Sequence, residues 1–247
     1  SFNRRDLVSA ALAAPLLFAS GAAAAKEKAP PGADWGKWFH DWFGRDFGMI
    51  GYYAKDNEAL LASRARVDVV FMGDSITEGW FDKRPGFFTP GRVDRGIGGQ
   101  TTSQMVLRMM SDVVALRPRA VHIMGGTNDI AGNTGPMTAG MSENNMRAMT
   151  DIAQRQGIRV MIASVPPATA FPWAPTVETR PAIFELNRRL VRLAGETGAT
   201  FVDYRPALDD GTGAMKAGLA SDGVHPTEAG YDAMAAVVEP VLKRMLA

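Results

Sequence analysis

The chain of 247 residues has no cysteine. Disulfides, cysteine-zinc sites and a thiol nucleophile are therefore excluded. Histidine is scarce, with 3 in all, so chemistry that needs an imidazole has few candidates. Neither sign of charge prevails: 27 Lys and Arg face 26 Asp and Glu, a net charge of +1. With no basic stripe interleaved with aromatics, nothing points to nucleic acid or an acidic surface as partner. No internal repeat is present. Long apolar runs are missing too, because the alanine-rich stretch at residues 7–19 is interrupted by Pro15. It falls short of the roughly 18 residues a spanning helix needs, and no stable membrane span is expected. The length suits one medium α/β domain with a substantial core, plus an extension.

What is present at the N-terminal end reads as an address. Arg4-Arg5 precedes the apolar stretch, and small residues at 22–25 follow before Lys26. A charged start, a short apolar centre and a small-residue end make a secretory signal over residues 1–25. Its Arg-Arg-Asp-Leu opening resembles a twin-arginine signal, which implies export to the periplasm or beyond. The competing reading is an alanine-rich soluble or anchoring helix. Residues 26–64 read as a linker and an aromatic-rich helical extension, in which residues 26–32 are charged and proline-rich. Trp35, Trp38, Phe39 and Trp42 then recur at helical spacing, followed by Phe43, Phe47, Tyr52 and Tyr53. Such a face could roof an acyl pocket or touch lipid. Core packing is the favoured reading, since aromatic faces are usually buried for their area. A polar helical stretch follows at 56–66.

From residue 65 to 247 the pattern alternates as a parallel α/β domain should. Strands are expected at 67–72, 120–124, 158–164 and 199–203, and helices at 102–116, 138–156, 180–197 and 227–246. At the end of the first strand stands Gly73-Asp-Ser75-Ile-Thr-Glu-Gly79. The β-branched run before it is a buried strand, and Gly73-Asp74 breaks it so that Ser75 emerges at its C-terminal end, where open parallel sheets bind ligands. Alone, the tripeptide is more often a turn with a capping serine.

Three other segments change that balance. Asp222-Gly-Val-His225-Pro supplies an imidazole with a carboxylate three residues before it. A serine hydroxyl is a poor nucleophile at neutral pH and needs a base to take its proton, with a third group to fix the imidazole's tautomer. Pro226 biases His225 to an extended conformation and keeps it out of the following helix. Arg95-Gly-Ile-Gly-Gly99-Gln-Thr-Thr102 places three glycines before a helical pattern, so that backbone N–H groups can approach a ligand closely. The strand containing Val121 to Met124 runs into Gly-Gly-Thr-Asn128-Asp129, whose side-chain amide can donate to a developing oxyanion.

With these four blocks in this order, the chain resembles the SGNH (GDSL-type) hydrolase superfamily. The wording of Gly96-Ile-Gly-Gly99 and Gly126-Thr-Asn128 is most similar to the branch of platelet-activating-factor acetylhydrolase subunits and bacterial acyl esterases. The resemblance implies a three-layer α/β/α sandwich, flavodoxin-like, around a mostly parallel five-stranded sheet. It implies Ser75 as nucleophile, His225 as base and Asp222 as its orienter. The oxyanion donors it implies are the N–H groups of Ser75 and Gly99 and the amide of Asn128. Two positions depart from the commonest pattern, Asp94-Arg95 before Gly96 and Gln100 after Gly99, and both bear on the hydrogen bonding of the loop.

The proline-rich segment at 165–175 follows a strand at the edge where the site should lie. Its Trp173 is a candidate substrate-binding surface, for stacking on a sugar or covering an acyl chain. An inward-packed tryptophan in a rigid connector is equally consistent. Asp74, beside the nucleophile, is a second candidate for substrate contact. His122, within a buried-type strand, reads as a core histidine, and the methionines as core filler. The function expected is cleavage of short-chain carboxylic esters, acetyl groups on carbohydrate foremost, through an acyl-enzyme with no metal or organic cofactor. Hydrolysis of lipid acyl chains or thioesters is the enzymatic alternative. A non-catalytic glycan-binding module is the alternative of another class, disfavoured because a pure binder needs no nucleophile-base pair.

Overall fold

The computed structural model describes residues 34–247. The expected signal at 1–25 and linker at 26–32 lie outside the described residues. Five strands form one sheet: β1 (Val69–Gly73), β2 (Arg92–Gly96), β3 (Ala120–Met124), β4 (Arg159–Ala163) and β5 (Thr200–Val202). Their order is β2-β1-β3-β4-β5, and every pairing is parallel. A parallel sheet is covered on both faces, so its central strands are largely apolar. In β1 and β3 every residue is buried, His122 included.

Helices α1 (Trp35–Arg45) and α2 (Ala54–Ser63) precede the sheet. After it begins come α3 (Ser75–Lys83), α4 (Thr102–Asp112), the short α5 (Thr127–Ala131), α6 (Ala139–Arg155), α7 (Thr179–Thr197), the one-turn α8 (Arg205–Leu208) and α9 (Glu228–Leu246). Helices α4, α6 and α7 pack side by side in one layer, and α3 and α9 pack on each other in a second. This is the three-layer α/β/α arrangement. Among the described residues no helix is long and apolar enough to cross a membrane.

Most elements lie within two residues of their expected bounds. Helix α4 stops at Asp112 and a separate 3-10 turn covers Val114–Leu116, where one continuous helix to residue 116 was expected. Helix α2 begins two residues early and ends at Ser63, because Arg64 turns left-handed at φ 53°. The fifth strand, β2, carries three charged residues in five and has no apolar signature. It sits at the sheet edge, where Arg92 pairs with Glu239 of α9 at 2.6 Å. Arg95 stacks on the Tyr53 ring, 4.6 Å from its centroid.

The joint between α3 and α9 bears on the site, since one starts at Ser75 and the other follows His225. Trp80 is fully buried and stacks on Tyr231 with ring centroids 5.6 Å apart and on Phe87 at 4.5 Å. The Tyr231 hydroxyl donates to the Ile76 carbonyl at 2.8 Å. Burial of each such aromatic is worth about 2–3 kcal/mol, so the two helices are held in one relative position. His122 is packed in the core as expected, with Nε2 2.8 Å from the Tyr204 hydroxyl. Among the described residues its Nδ1 has no hydrogen-bond partner, and burial pushes its pKa down to about 3. It is neutral.

Candidate active site

Three neighbouring strands deliver their C-terminal ends to one place. The chain passes from β1 outward to β2 and then back across β1 to β3, so the ends of β1 and β3 flank the point where strand order reverses. Ser75 follows β1, Gly99 follows β2 and Asn128 follows β3. At Ser75 the chain turns directly into α3, whose first turn is capped by Asp74 accepting from the Ile76 N–H at 3.0 Å. Gly96 allows β2 to end against that helix, for a Cβ there would meet the Glu78 nitrogen at 2.0 Å. Gly99 has φ 76°, a left-handed conformation that glycine adopts without strain.

His225 comes from the loop before α9. That loop is pinned by Ser221 N–H donating to the His225 carbonyl at 2.9 Å and Thr227 N–H donating to the Leu219 carbonyl at 2.9 Å. The Thr227 hydroxyl donates to the Gly218 carbonyl at 2.7 Å while capping α9. The sequence therefore presents the imidazole from a stiff loop, as the proline after it implied.

Ser75, His225 and Asp222 are brought into one line. The Ser75 Oγ lies 2.9 Å from Nε2 of His225, and Nδ1 of His225 lies 2.7 Å from Oδ2 of Asp222. The other Asp222 oxygen accepts the backbone N–H groups of His225 at 2.7 Å and Val224 at 2.9 Å. Partial burial alone would raise the Asp222 carboxyl, but the hydrogen bonds from His225 and Val224 outweigh it and hold the pKa below the usual carboxylate range. An ionised Asp222 fixes the proton on Nδ1, which leaves Nε2 free to accept the Ser75 hydroxyl proton.

The three expected oxyanion donors face the same cleft. Among the described residues, neither the Ser75 nor the Gly99 N–H donates to a protein acceptor. The Asn128 amide is held at both ends: Nδ2 donates to the Gln100 carbonyl at 3.0 Å, and Oδ1 accepts from Asn133 at 3.0 Å. Asn133 also donates to the Gly99 carbonyl at 3.0 Å. With its oxygen turned to Asn133, Asn128 keeps one amide N–H for a ligand.

The cleft has a volume of about 530 Å³ and is bordered by Ser75, Gly99, Asn128, Trp173 and His225, together with Glu78, Asn133 and the helix α1 residues Gly36 and His40. Trp173 thus stands at the cleft, 41% exposed, stacked on Phe171 and with its ring centroid 5.7 Å from that of His225. Asp74 is placed otherwise than a substrate contact requires: it is 1% exposed, does not border the cleft and acts as the cap of α3. Burial pushes its pKa up to about 6, against the pull of the Ile76 N–H and of His225. Of the aromatic stretch, Tyr52 and Tyr53 are buried and Phe47 is exposed. The side chains of Trp35, Trp38, Phe39, Trp42 and Phe43 lie outside the described residues.

Glu78 and Asn133 are the residues that sequence reasoning missed. Glu78 accepts the Gly98 N–H at 2.9 Å and the Tyr52 hydroxyl at 2.6 Å. Its signal was available, since it lies three residues after Ser75 on a helix and shares its face. Asn133 follows the left-handed Gly132 after α5, and nothing local marks it. The departures at Arg95 and Gln100 are absorbed into buried hydrogen bonds: Arg95 donates to Asn57 at 2.7 Å, and the Gln100 side-chain oxygen accepts from Arg108 at 2.6 Å.

A serine hydroxyl in contact with an imidazole, beside backbone N–H groups in a sheet-end cleft, is the arrangement that acyl transfer needs. The chain belongs to the GDSL-like lipase/acylhydrolase family, whose model matches residues 71–233. It is similar to a GDSL-like lipase from Bacteroides thetaiotaomicron, with 38% identity, 81% of this chain and 99% of that one covered, and a TM-score of 0.75. A Streptococcus pneumoniae protein assigned as a platelet activating factor is 23% identical over 83% of this chain and 97% of its own, at a TM-score of 0.70. A mutant of an acetyl-xylooligosaccharide esterase from Geobacillus is 22% identical over 72% of this chain and 94% of its own, at a TM-score of 0.58. At their level of identity the last two share the fold and carry nothing further. No curated protein sequence matches the chain. Membership of this family makes the protein an ester hydrolase.

Proposed function

We propose that the protein is an exported serine esterase that hydrolyses short-chain carboxylic esters, acetyl groups on carbohydrate foremost, through an acyl-enzyme and without a metal or organic cofactor. The observation that carries this is the continuous contact from Ser75 Oγ through His225 to Asp222, at 2.9 and 2.7 Å. Ser75 Oγ attacks the ester carbonyl while Nε2 of His225 takes its proton. The carbonyl oxygen becomes an oxyanion facing the N–H groups of Ser75 and Gly99 and the amide of Asn128, where each preorganised donor is worth about 3–4 kcal/mol. Collapse of this intermediate breaks the ester C–O bond, and His225 returns the proton to the leaving alcohol. Water then adds to the acyl-serine with His225 again as base, releasing the acid and regenerating Ser75.

Short acyl groups are favoured by Trp173, whose ring stands 5.7 Å from that of His225 and walls one side of the cleft. The flat face of Trp173 suits a sugar ring in the leaving group. Export rests on the charged, apolar and small-residue pattern at residues 4–25.

The test is a series of chromogenic esters from acetyl to palmitoyl, with acetylated xylo-oligosaccharides in parallel, for wild type and Ser75→Ala. Greatest kcat/KM for acetyl, lost in Ser75→Ala, is expected. Palmitoyl preference replaces this reading by lipid hydrolysis, and inactivity throughout by glycan binding. Fractionation of expressing cells tests export separately.

A further inference from the structure

Arg108, on α4, is fully buried and does not line the cleft at Ser75. Its guanidinium nevertheless touches both halves of the site from behind. Nη2 donates to the Gly73 carbonyl at 2.9 Å, two residues before Ser75, and Nε donates to the Gln100 side chain at 2.6 Å, one residue after Gly99. Nη1 lies on Asp112 at 3.1 Å, which accounts for the charge. Gln100 in turn receives the Asn128 amide on its backbone carbonyl at 3.0 Å and donates its own amide to the Gly48 carbonyl at 3.1 Å. One planar group therefore ties the end of β1, the loop after β2 and, through Gln100, the end of β3.

We infer that Arg108 is a positioning residue that sets the distance between Ser75 and the oxyanion donors Gly99 and Asn128. The inference rests on the serine-esterase reading above. A buried arginine that served only as the partner of Asp112 would be replaceable by lysine, which can pair with the same carboxylate four residues on. A lysine ammonium is a point charge on a flexible stem and cannot present the rigid fork that meets Gly73, Gln100 and Asp112 in three directions. Oxyanion donors act through geometry, and a misplacement of about 1 Å costs on the order of a hundredfold in rate. Such a shift weakens the hold on the tetrahedral intermediate more than it weakens substrate binding.

The experiment compares wild type, Arg108→Lys, Gln100→Leu and the double variant, with Ser75→Ala as reference. It measures kcat and KM on an acetyl ester, affinity for a short alkylboronic acid, and melting temperature. The boronic acid accepts the Ser75 oxygen at boron and so mimics the tetrahedral state. Each single variant is expected to lower kcat by roughly thirtyfold or more with KM nearly unchanged, and boronic acid affinity should fall in parallel. The double variant should be little worse than either single one, because both break the same link. Wild-type kcat in Gln100→Leu, unchanged boronic acid affinity, or losses that multiply in the double variant would overturn the role. If Arg108→Lys fails to fold, Gln100→Leu decides alone. Activity retained in Ser75→Ala would sink the esterase reading itself, whereas a dead Ser75→Ala beside a fully active Gln100→Leu removes only Arg108.

Discussion

The Ser75 hydroxyl and the His225 imidazole meet at 2.9 Å although 150 residues of chain separate them. Their meeting depends on the α3–α9 joint, because Ser75 is the first residue of one helix and His225 stands three residues before the other. Arg84 at the end of α3 reinforces the joint by pairing with Asp232 at 2.6 Å and Glu228 at 2.7 Å on α9.

Asp222→Asn is expected to lower kcat by about three orders of magnitude or more, because an amide can hold the wrong imidazole tautomer. The backbone N–H groups of Val224 and His225 can still donate to the remaining Oδ1, so the loop should stay folded. Steady-state kinetics with near-ultraviolet circular dichroism check both halves. Activity within tenfold of wild type would remove Asp222 from its role. The same carboxyl makes a second, weaker statement. Its folded pKa is depressed, so its contribution to stability is present above the unfolded value of about 3.9 and is lost as pH falls through the lower folded value.

Asn128→Ala should lower kcat by roughly a hundredfold with little change in melting temperature. Asn128→Asp should be worse, since it loses the donor to Gln100 and sets a negative charge where the oxyanion forms. Turnover near wild type in either variant would leave Asn128 as part of the loop's hydrogen bonding and nothing more.

Turnover should fall steeply for acyl chains beyond about six carbons, because a cavity of ordinary volume limits what can be buried. Trp173→Ala should relax that limit by opening the wall beside His225. A length profile identical in the two proteins would show that Trp173 does not set it.

The core strands were legible because β1, β3 and β4 carry mainly apolar runs that include valine and isoleucine, which a doubly covered parallel sheet demands. Strand β2 was not. Arg92 and Arg95 find partners in Glu239 and Asn57, 147 and 38 residues away, too far along the chain for a local pattern to reveal. The same reason divides the site. Ser75, Asp222, His225, Gly99 and Asn128 stand in short motifs whose local chemistry can be read. Glu78 and Arg108 act on loops from other parts of the chain, and Asp74 looked like a contact because it adjoins the serine, whereas the start of α3 turns it inward.

Asp74→Asn should change how stability depends on pH. The carboxyl is buried and its pKa is pushed up to about 6, above its unfolded value of about 3.9. A raised carboxyl pKa means that the folded state binds the proton more tightly than the unfolded chain does. Stability from this group is therefore greatest below the unfolded value and declines as pH rises from about 4 to about 6, where the folded carboxyl ionises. Asparagine keeps an oxygen for the Ile76 N–H but carries no titrating proton, so the cap survives and the pH dependence does not. Asp129, whose pKa is also raised by burial, repels the Asp74 carboxylate, so the comparison reads Asp74 together with its effect on Asp129. The measurement is melting temperature from pH 4 to 8 for both proteins. The difference, mutant minus wild type, should grow in the mutant's favour between pH 4 and 6 and level off above. A difference that stays flat across that range would mean that Asp74 ionises as readily in the folded protein as in the unfolded chain.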